Sequence, residues 1–280
     1  MGLPLDGILK LSTGIFMAGN LLWIGLGLRA GEAFQGLHDR LFVFWGLICG
    51  FLLGPALAFG VVWIFRIEDS YAAGILVMGL APCAPFLPGA VERAKGNLSA
   101  AAAFLLLATG VSLLVVPFAV PRLVPGLAVD TSSMIQTLVL YLLFPLVVGV
   151  GLRGLSECAA RQLRWFVKGI TTLSTVVLLG LCLYLYRTAI WGTFGSRSLL
   201  ALATFTAILL VGVWAMTRSL PVPKRSVLAL GVGTRNLGVP FAVLSSAQSD
   251  ERAIAVVALA VPVTLVGAFV ASAWFARRSH

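Results

Sequence analysis

The sequence predicts an all-α integral membrane protein in which nine transmembrane helices form two inverted repeats, with two discontinuous helices that cross. Three observations lead to this fold class. Of the 280 residues, 60% are hydrophobic and only 11% are charged, which leaves too little polar surface for a soluble protein. Apolar segments of about 20 residues recur along the chain. Two of these segments are rich in glycine or proline near their centres, where a continuous helix cannot form.

Nine apolar segments are long enough to cross a membrane as helices, because the hydrocarbon core is about 30 Å thick and each residue adds about 1.5 Å. The connections between them are short, so the whole chain (1–280) is expected to form one transmembrane domain. The predicted spans are residues 7–29, 39–65, 70–94, 97–121, 132–153, 163–187, 195–218, 224–246 and 251–276.

The basic residues fall unevenly on the two sides of these spans. The larger set comprises Arg29, Arg40, Arg93, Lys95, Arg153, Arg161, Arg164, Lys168, Arg218, Lys224, Arg225, Arg277 and Arg278. The smaller set comprises Lys10, Arg66, Arg122, Arg187, Arg197 and Arg252. The positive-inside rule then predicts a multi-pass plasma membrane (bacterial inner membrane) protein, with its N-terminus outside and its C-terminus in the cytoplasm. Because the charges are scattered between apolar segments, the net charge of +10 does not indicate a nucleic-acid partner.

The two interrupted spans hold most of the candidate site residues. In the third span, prolines at three positions in seven residues prevent a regular helix, and in the eighth span glycines do so between Gly231 and Gly238. Backbone groups freed in this way must be buried in protein or line a wet cavity. The residues expected to form this cradle are Pro82, Cys83, Pro85, Pro88, Gly231 and Gly233.

The positions of the two interrupted spans suggest a transporter. Each is third in a group of four: the first repeat covers residues 7–121, a connecting helix covers 132–153, and the second repeat covers 163–276. The two groups start on opposite sides of the membrane. Broken helices at matching positions of inverted halves indicate a substrate site near the bilayer midplane. Two independently kinked helices that merely pack together are the alternative.

Arg235 stands near the centre of the eighth span, where a charge costs about 2.5–3.5 kcal/mol on insertion scales. All acidic residues fall in loops or at helix ends, so no intramembrane carboxylate is expected to pair with it. We expect freed backbone carbonyls to accept from part of its guanidinium and a bound anion to accept from the rest, with help from Thr234 and Asn236. The alternative is that Arg235 only joins the crossing backbones.

Further polar positions are candidates for a cavity wall, with Asn20 foremost because an amide satisfies itself less easily than a hydroxyl. The others are Thr109, Ser112, Gln136, Thr171, Thr172, Ser174, Thr175 and Thr264. No Asp, Glu or His is available inside the membrane for a proton relay. The cysteines and histidines show no metal-ligand spacing, so neither a metal site nor a cofactor is predicted.

Two stretches carry a family resemblance. Gly79–Pro85, followed by Ala94–Asn97 and a long helix, resembles the bile acid:sodium symporter family, and so does Gly233–Gly238 in the second half. The resemblance extends from about residue 13 to 274. It implies two inverted repeats, a panel and a core domain, and two discontinuous helices that cross at the substrate and ion sites.

The departures from this family concern sodium. The resemblance implies that sodium-coupled members carry Glu where this chain has Gly231 and Gln where it has Arg235. Their Ser-Asn pair falls on Leu87 and Pro88, and hydroxyls of the following helix fall near Ala101 and Leu105. The resemblance therefore predicts a relative that has lost sodium coupling.

We predict a secondary transporter that carries a small organic anion by alternating access, without sodium coupling and with the lipid bilayer as its other partner. A sodium-dependent organic anion symporter of the bile acid type is one alternative. A non-transporting receptor module is another, which a long soluble tail would favour, whereas this sequence ends a few residues after the ninth span. An enzyme is not expected, because no H-E-x-x-H pair or acidic metal cluster occurs. The oligomeric state is left open.

Overall fold

The computed structural model describes residues 5–28, 30–124, 127, 131–247 and 250–278. This part of the chain is helical, and its single element of β structure is one isolated backbone bridge. The prediction of an all-α protein is thereby confirmed. In the first half the helices are α1 (Leu5–Gly27), α2 (Ala30–Leu37), α3 (Arg40–Leu47), α4 (Gly54–Phe65), α5 (Asp69–Gly79), α6 (Leu87–Arg93) and α7 (Leu98–Leu123). The remainder are α8 (Thr131–Leu138), α9 (Phe144–Leu155), α10 (Glu157–Leu185), α11 (Arg187–Gly195), α12 (Ser198–Met216), α13 (Val222–Gly233), α14 (Gly238–Ser246) and α15 (Glu251–Ala276).

Seven helices within the described residues are long and apolar enough to cross a membrane. They correspond to seven of the predicted spans, with ends that differ by up to about six residues. The two remaining predicted spans, 70–94 and 224–246, are each divided into two short helices, α5 and α6 in one and α13 and α14 in the other. A multi-pass membrane protein is thus supported, whereas the count of nine spans and the inverted relation of the two halves stay predictions.

Two of the long helices contain a π-helical turn immediately before a proline. Ile48–Leu53 joins α3 to α4, and Val139–Leu143 joins α8 to α9. Pro55 and Pro145 follow near the starts of α4 and α9. Proline has no N–H to donate and collides with the preceding turn, so a wider turn in front of it lets the helix continue.

The helices pack in two groups. The scaffold group consists of α1, α9 and α10, with α1 packed along both of the others. The crossing group consists of α4, α5, α12, α13, α14 and α15, which pack on one another. The two groups meet where α1 contacts α14 and α10 contacts α15. The interrupted helices therefore lie next to the interface between the groups.

Candidate functional site

The two interrupted helices meet at their breaks. Between Gly79 and Leu87, and again between Gly233 and Gly238, the chain leaves the helical path. Pro82 and Arg235 face each other across the breaks in an antiparallel backbone bridge. The two segments are about 150 positions apart in the sequence. Their contact brings the ends of four short helices, α5, α6, α13 and α14, to one place.

Backbone hydrogen bonds hold the two breaks together. The N–H of Asn236 donates to the carbonyl of Ala81 at 3.0 Å. The N–H of Cys83 lies 2.9 Å from the carbonyls of both Gly231 and Thr234. Cys83 has a φ of 76°, a left-handed conformation that is unusual for a residue with a side chain and that turns its N–H toward α13. Several carbonyls freed by the breaks are thus already bonded to backbone N–H groups.

The glycines of the eighth span do not break the helix, contrary to our expectation. Helix α13 continues through Gly231 and Gly233, and the break is confined to residues 234–237. A Cβ built on Gly233 would collide with the side chain of Leu210. These two glycines therefore serve close helix packing. Pro88 likewise lies in the first turn of α6, a position that proline tolerates, so only Pro82 and Pro85 fall in the first break.

Arg235 is the largest fully buried side chain among the described residues, with 1% of its surface exposed. Its Nε, Nη1 and Nη2 atoms are all buried without a hydrogen-bond partner. The guanidinium carbon lies 5.2 Å from the centroid of the Phe205 ring, a favourable cation–π distance. The expectation that freed carbonyls accept from this side chain is therefore wrong in this structure. The carbonyls of Ala81, Gly231 and Thr234 accept from backbone N–H groups instead. Within the described residues, neither an acid nor a carbonyl compensates the buried charge of Arg235.

A cavity of about 200 Å³ adjoins the crossing and separates the two helix groups. The wall is formed by α1, α10, the two breaks, α14 and α15. Its residues are Phe16, Asn20 and Trp23 of α1, Thr175, Leu178 and Leu179 of α10, Ala84, Pro85 and Phe86 of the first break, Arg235 and Leu237 of the second break, Phe241 of α14, and Val261, Thr264 and Leu265 of α15. The structure thus brings three of the predicted site residues, Asn20, Pro85 and Arg235, to one cavity. Pro82, Cys83, Gly231 and Gly233 lie behind it in the protein interior.

The polar groups around the cavity are largely satisfied within their own segments. Asn20 donates to the carbonyl of Phe16 at 2.6 Å, and Thr234 donates to that of Leu230 at 2.7 Å. Asn236 accepts from the N–H of Gly238 at 3.1 Å and so fixes the start of α14. Thr234 and Asn236 therefore shape the break. Arg235 is the charged residue on the cavity wall.

Among the other predicted wall positions, Thr175 and Thr264 line the cavity, while Gln136 and Thr172 are exposed on the outer surface. Ser174 donates to the carbonyl of Ser12 and joins α10 to α1 instead. The aromatic wall residues, such as Phe16 and Phe241, were not among the residues predicted from the sequence. No signal marked them, because aromatic residues also face lipid in a membrane protein.

The space beside Gly231 is filled by an aromatic ring. A Cβ built on Gly231 would lie 2.5 Å from Cδ1 and Cε1 of Phe104 on α7. Phe104 is fully buried and packs edge-to-face with Phe42, with ring centroids 6.4 Å apart. The neighbourhood in which the family resemblance implies a glutamate is therefore apolar here.

A family model described as the sodium bile acid symporter family matches residues 14–192, more than half of the chain. The chain belongs to this family. Membership places it among membrane transporters, in agreement with the resemblance found in the sequence. Members of this family are transporters and not enzymes. The match includes the first break and ends before the second, so Arg235 lies outside it. No curated protein gives a significant match.

Proposed function

We propose that this family member transports a small organic anion by alternating access and without sodium coupling. The observation that carries the proposal is Arg235, a buried cation without a hydrogen-bonding partner on the wall of the cavity between the two helix groups. A charge buried in this way costs several kcal/mol unless it is paired. A carboxylate or similar anion that reaches the guanidinium offsets part of that cost by pairing with it, whereas neutral or cationic solutes do not.

The size of the cavity favours a small substrate. Sites for drug-sized ligands are typically about 300–1,000 Å³, and this cavity measures about 200 Å³. Its wall is apolar apart from Asn20, Thr175, Thr264 and Arg235. An anion with a short hydrocarbon body matches this combination better than a steroid does.

The enclosure of the guanidinium requires movement during transport. Its three nitrogens are inaccessible in this conformation, although other atoms of Arg235 reach the cavity wall. Sliding of the crossing group against the scaffold group would open the space around Arg235 to the substrate. Movement of this kind is how transporters with broken helices expose a midplane site to either side.

We base the proposed absence of sodium coupling on the residues beside Gly231 and on the charge at position 235. Sodium prefers several hard oxygen ligands, often including a carboxylate. Beside Gly231 the space is occupied by the Phe104 ring, and at position 235 a fixed positive charge repels a cation. We propose that this charge replaces the charge that coupling ions supply in sodium-dependent relatives.

The direct test is uptake of radiolabelled short-chain mono- and dicarboxylates by liposomes containing the purified protein. We expect Arg235→Ala to reduce uptake by roughly 10- to 100-fold, since a hydrogen bond to a charged group contributes about 1.5–3 kcal/mol. Arg235→Lys keeps the charge and should retain part of the activity. Arg122→Ala is the matched control, because its guanidinium is exposed and donates to the carbonyl of Phe118 in its own helix.

The same liposomes separate the alternatives. Uptake should be equal when external sodium is replaced by choline, and a sodium requirement would support the symporter alternative instead. Uptake that is unchanged by Arg235→Ala would remove the role assigned to this residue. Specific binding of carboxylates without any uptake would favour the receptor alternative.

A further inference from the structure

A second cavity with a positive character lies at the beginning of α10 and shares Trp23 with the cavity at the crossing. It has a volume of about 240 Å³ and is lined by Trp23, Arg161, Arg164, Trp165 and Lys168. Arg161 and Arg164 lie three positions apart, as do Trp165 and Lys168, so these four residues lie on one side of α10. Trp23 closes the cavity from α1.

Aromatic rings hold the cations of this cavity in place. The guanidinium carbon of Arg164 lies 4.6 Å from the ring centroid of Trp23, and Nζ of Lys168 lies 5.9 Å from that of Trp165. A Cβ on Gly27 would approach the guanidinium carbon of Arg164 to 2.6 Å, so the glycine allows this side chain to lie flat against α1. The rings orient the cations without neutralising them, and Nε of Arg164 is buried without an acceptor.

Within the described residues, the basic side chains of this region outnumber the acidic ones. Glu157 is the nearest acid along α10, and its carboxylate lies 3.4 Å from Nη2 of Arg153 on α9. Arg153 adds a fourth cation to this region and also donates to the carbonyl of Leu26. The region therefore carries an excess of positive charge that suits a ligand with anionic oxygens.

An apolar groove continues from this cavity along the outer face of α10. Trp165, Phe166, Gly169, Ile170 and Leu173 line it, and Trp165 belongs to both the cavity and the groove. The side chains of Trp165 and Phe166 are 76% and 75% exposed. Nothing lies within 4 Å of a Cβ built on Gly169, so the groove is open toward the lipid.

The length of α10 and the position of its basic residues indicate where the cavity and the groove lie relative to the membrane. Its 29 residues extend roughly 43 Å at 1.5 Å per residue, whereas the hydrocarbon core is about 30 Å thick. Because Arg161, Arg164 and Lys168 lie in its first turns, we infer that this end of α10 reaches the headgroup layer and that the groove that follows lies beside the acyl chains. A ligand with an anion at one end and hydrocarbon at the other matches both parts.

We propose that this site binds an anionic phospholipid, with its phosphate at Arg161, Arg164 and Lys168 and an acyl chain along the groove from Trp165 to Leu173. Basic clusters at helix ends attract anionic lipid headgroups. The predicted orientation puts this end of α10 in the cytoplasmic leaflet. Because α1 and α10 belong to the scaffold group, such a lipid anchors the group against which the crossing group moves.

The experiment is native mass spectrometry of the purified protein with added phosphatidylglycerol or phosphatidylcholine. The wild-type protein should bind phosphatidylglycerol at least fivefold more tightly than phosphatidylcholine. The double variant Arg161→Gln/Lys168→Gln should lose this preference. Both side chains are exposed, so the variant is expected to fold. Arg218→Gln/Arg277→Gln removes the same charge from exposed positions on the same predicted side and should keep the preference.

Two results would overturn this proposal. Equal phosphatidylglycerol binding by the wild-type protein and the Arg161→Gln/Lys168→Gln variant would show that the lipid binds elsewhere. Displacement of the lipid by equimolar glycerol phosphate would indicate a site for a soluble phosphate, with no contribution from the groove. Neither result depends on transport, so failure of this proposal is distinguishable from failure of the proposed transport function.

Discussion

Gly54 provides the space into which the guanidinium group of Arg235 packs. A Cβ built on Gly54 would lie 2.5 Å from Nη2 and 3.1 Å from Nη1 of Arg235, and 2.9 Å from the carbonyl oxygen of Gly79. The side chain of the second break is thus enclosed by a helix of the first half. Nothing in the local sequence around Gly54 indicates this relationship.

Gly54→Ala should therefore destabilise the protein by about 1–3 kcal/mol, the usual cost of forcing an extra group into a packed site. Chemical unfolding in detergent measures this change. Gly60→Ala on the same helix is the control, since a Cβ there meets nothing within 4 Å. That substitution should be neutral or stabilising, because alanine loses less backbone entropy than glycine in a helix. An equal effect of the two substitutions would contradict the enclosure of Arg235.

Arg235→Met should raise the thermal unfolding midpoint while abolishing anion uptake. Methionine fills a similar volume and removes a buried charge whose nitrogens have no partner. Replacing buried charges by apolar side chains is often neutral or stabilising by 1–4 kcal/mol. A lowered midpoint would mean that the guanidinium makes stabilising contacts beyond its 5.2 Å approach to the Phe205 ring.

Gly231→Ala should destabilise the protein because its Cβ meets the Phe104 ring at 2.5 Å. We expect a loss of about 1–3 kcal/mol from overpacking. Gly110→Ala, on the helix that carries Phe104, is the control, as its Cβ has no neighbour within 4 Å. Because the Phe104 ring occupies the space beside Gly231, Gly231→Glu should not create a sodium site. A comparison of thermal unfolding in sodium and in choline should therefore show no difference for this variant.

Asp39 links the starts of two helices. Its carboxylate lies 2.6 Å from Nζ of Lys224 and accepts from the N–H of Phe42 at 3.1 Å. The hydrogen bond from Lys224 is the main cause that lowers the pKa of Asp39 from its ordinary value of 3.8. Because the folded-state pKa is depressed, this stabilisation is complete well above pH 3.8 and is lost as the pH falls through the lower folded value.

Asp39→Asn tests this pair without removing the helix cap, since asparagine caps as well as aspartate. At neutral pH the substitution should cost about 0.2–1 kcal/mol, the range for a partly exposed ion pair. The difference from wild type should shrink as the pH falls below 3.8. Asp39→Ala removes the cap as well and should cost about 1 kcal/mol more. A difference that is constant with pH would contradict the ionic role.

Much of the fold follows from composition alone. Long apolar segments must form helices in lipid because their backbone groups have no other partners, so seven of the predicted spans appear as long helices with shifted ends. The interruptions were also predictable, since prolines and glycines act locally on the helix that contains them. The residues at which the interruptions begin and end were not predictable. Helix α13 continues through Gly231 and Gly233, because glycine is needed there to leave space for Phe104 and Leu210.

The sequence by itself determined the long apolar helices, the two interruptions and the arginine deep within one of the interrupted segments. The tertiary structure decided that the breaks meet at Pro82 and Arg235, and that Gly54 and Phe205 enclose the guanidinium. It also decided that Asn20, Thr175 and Thr264 share one cavity. A helix in lipid is apolar on its outer face as well as its inner face, so hydrophobicity does not distinguish the two. Only contacts between distant segments make that distinction.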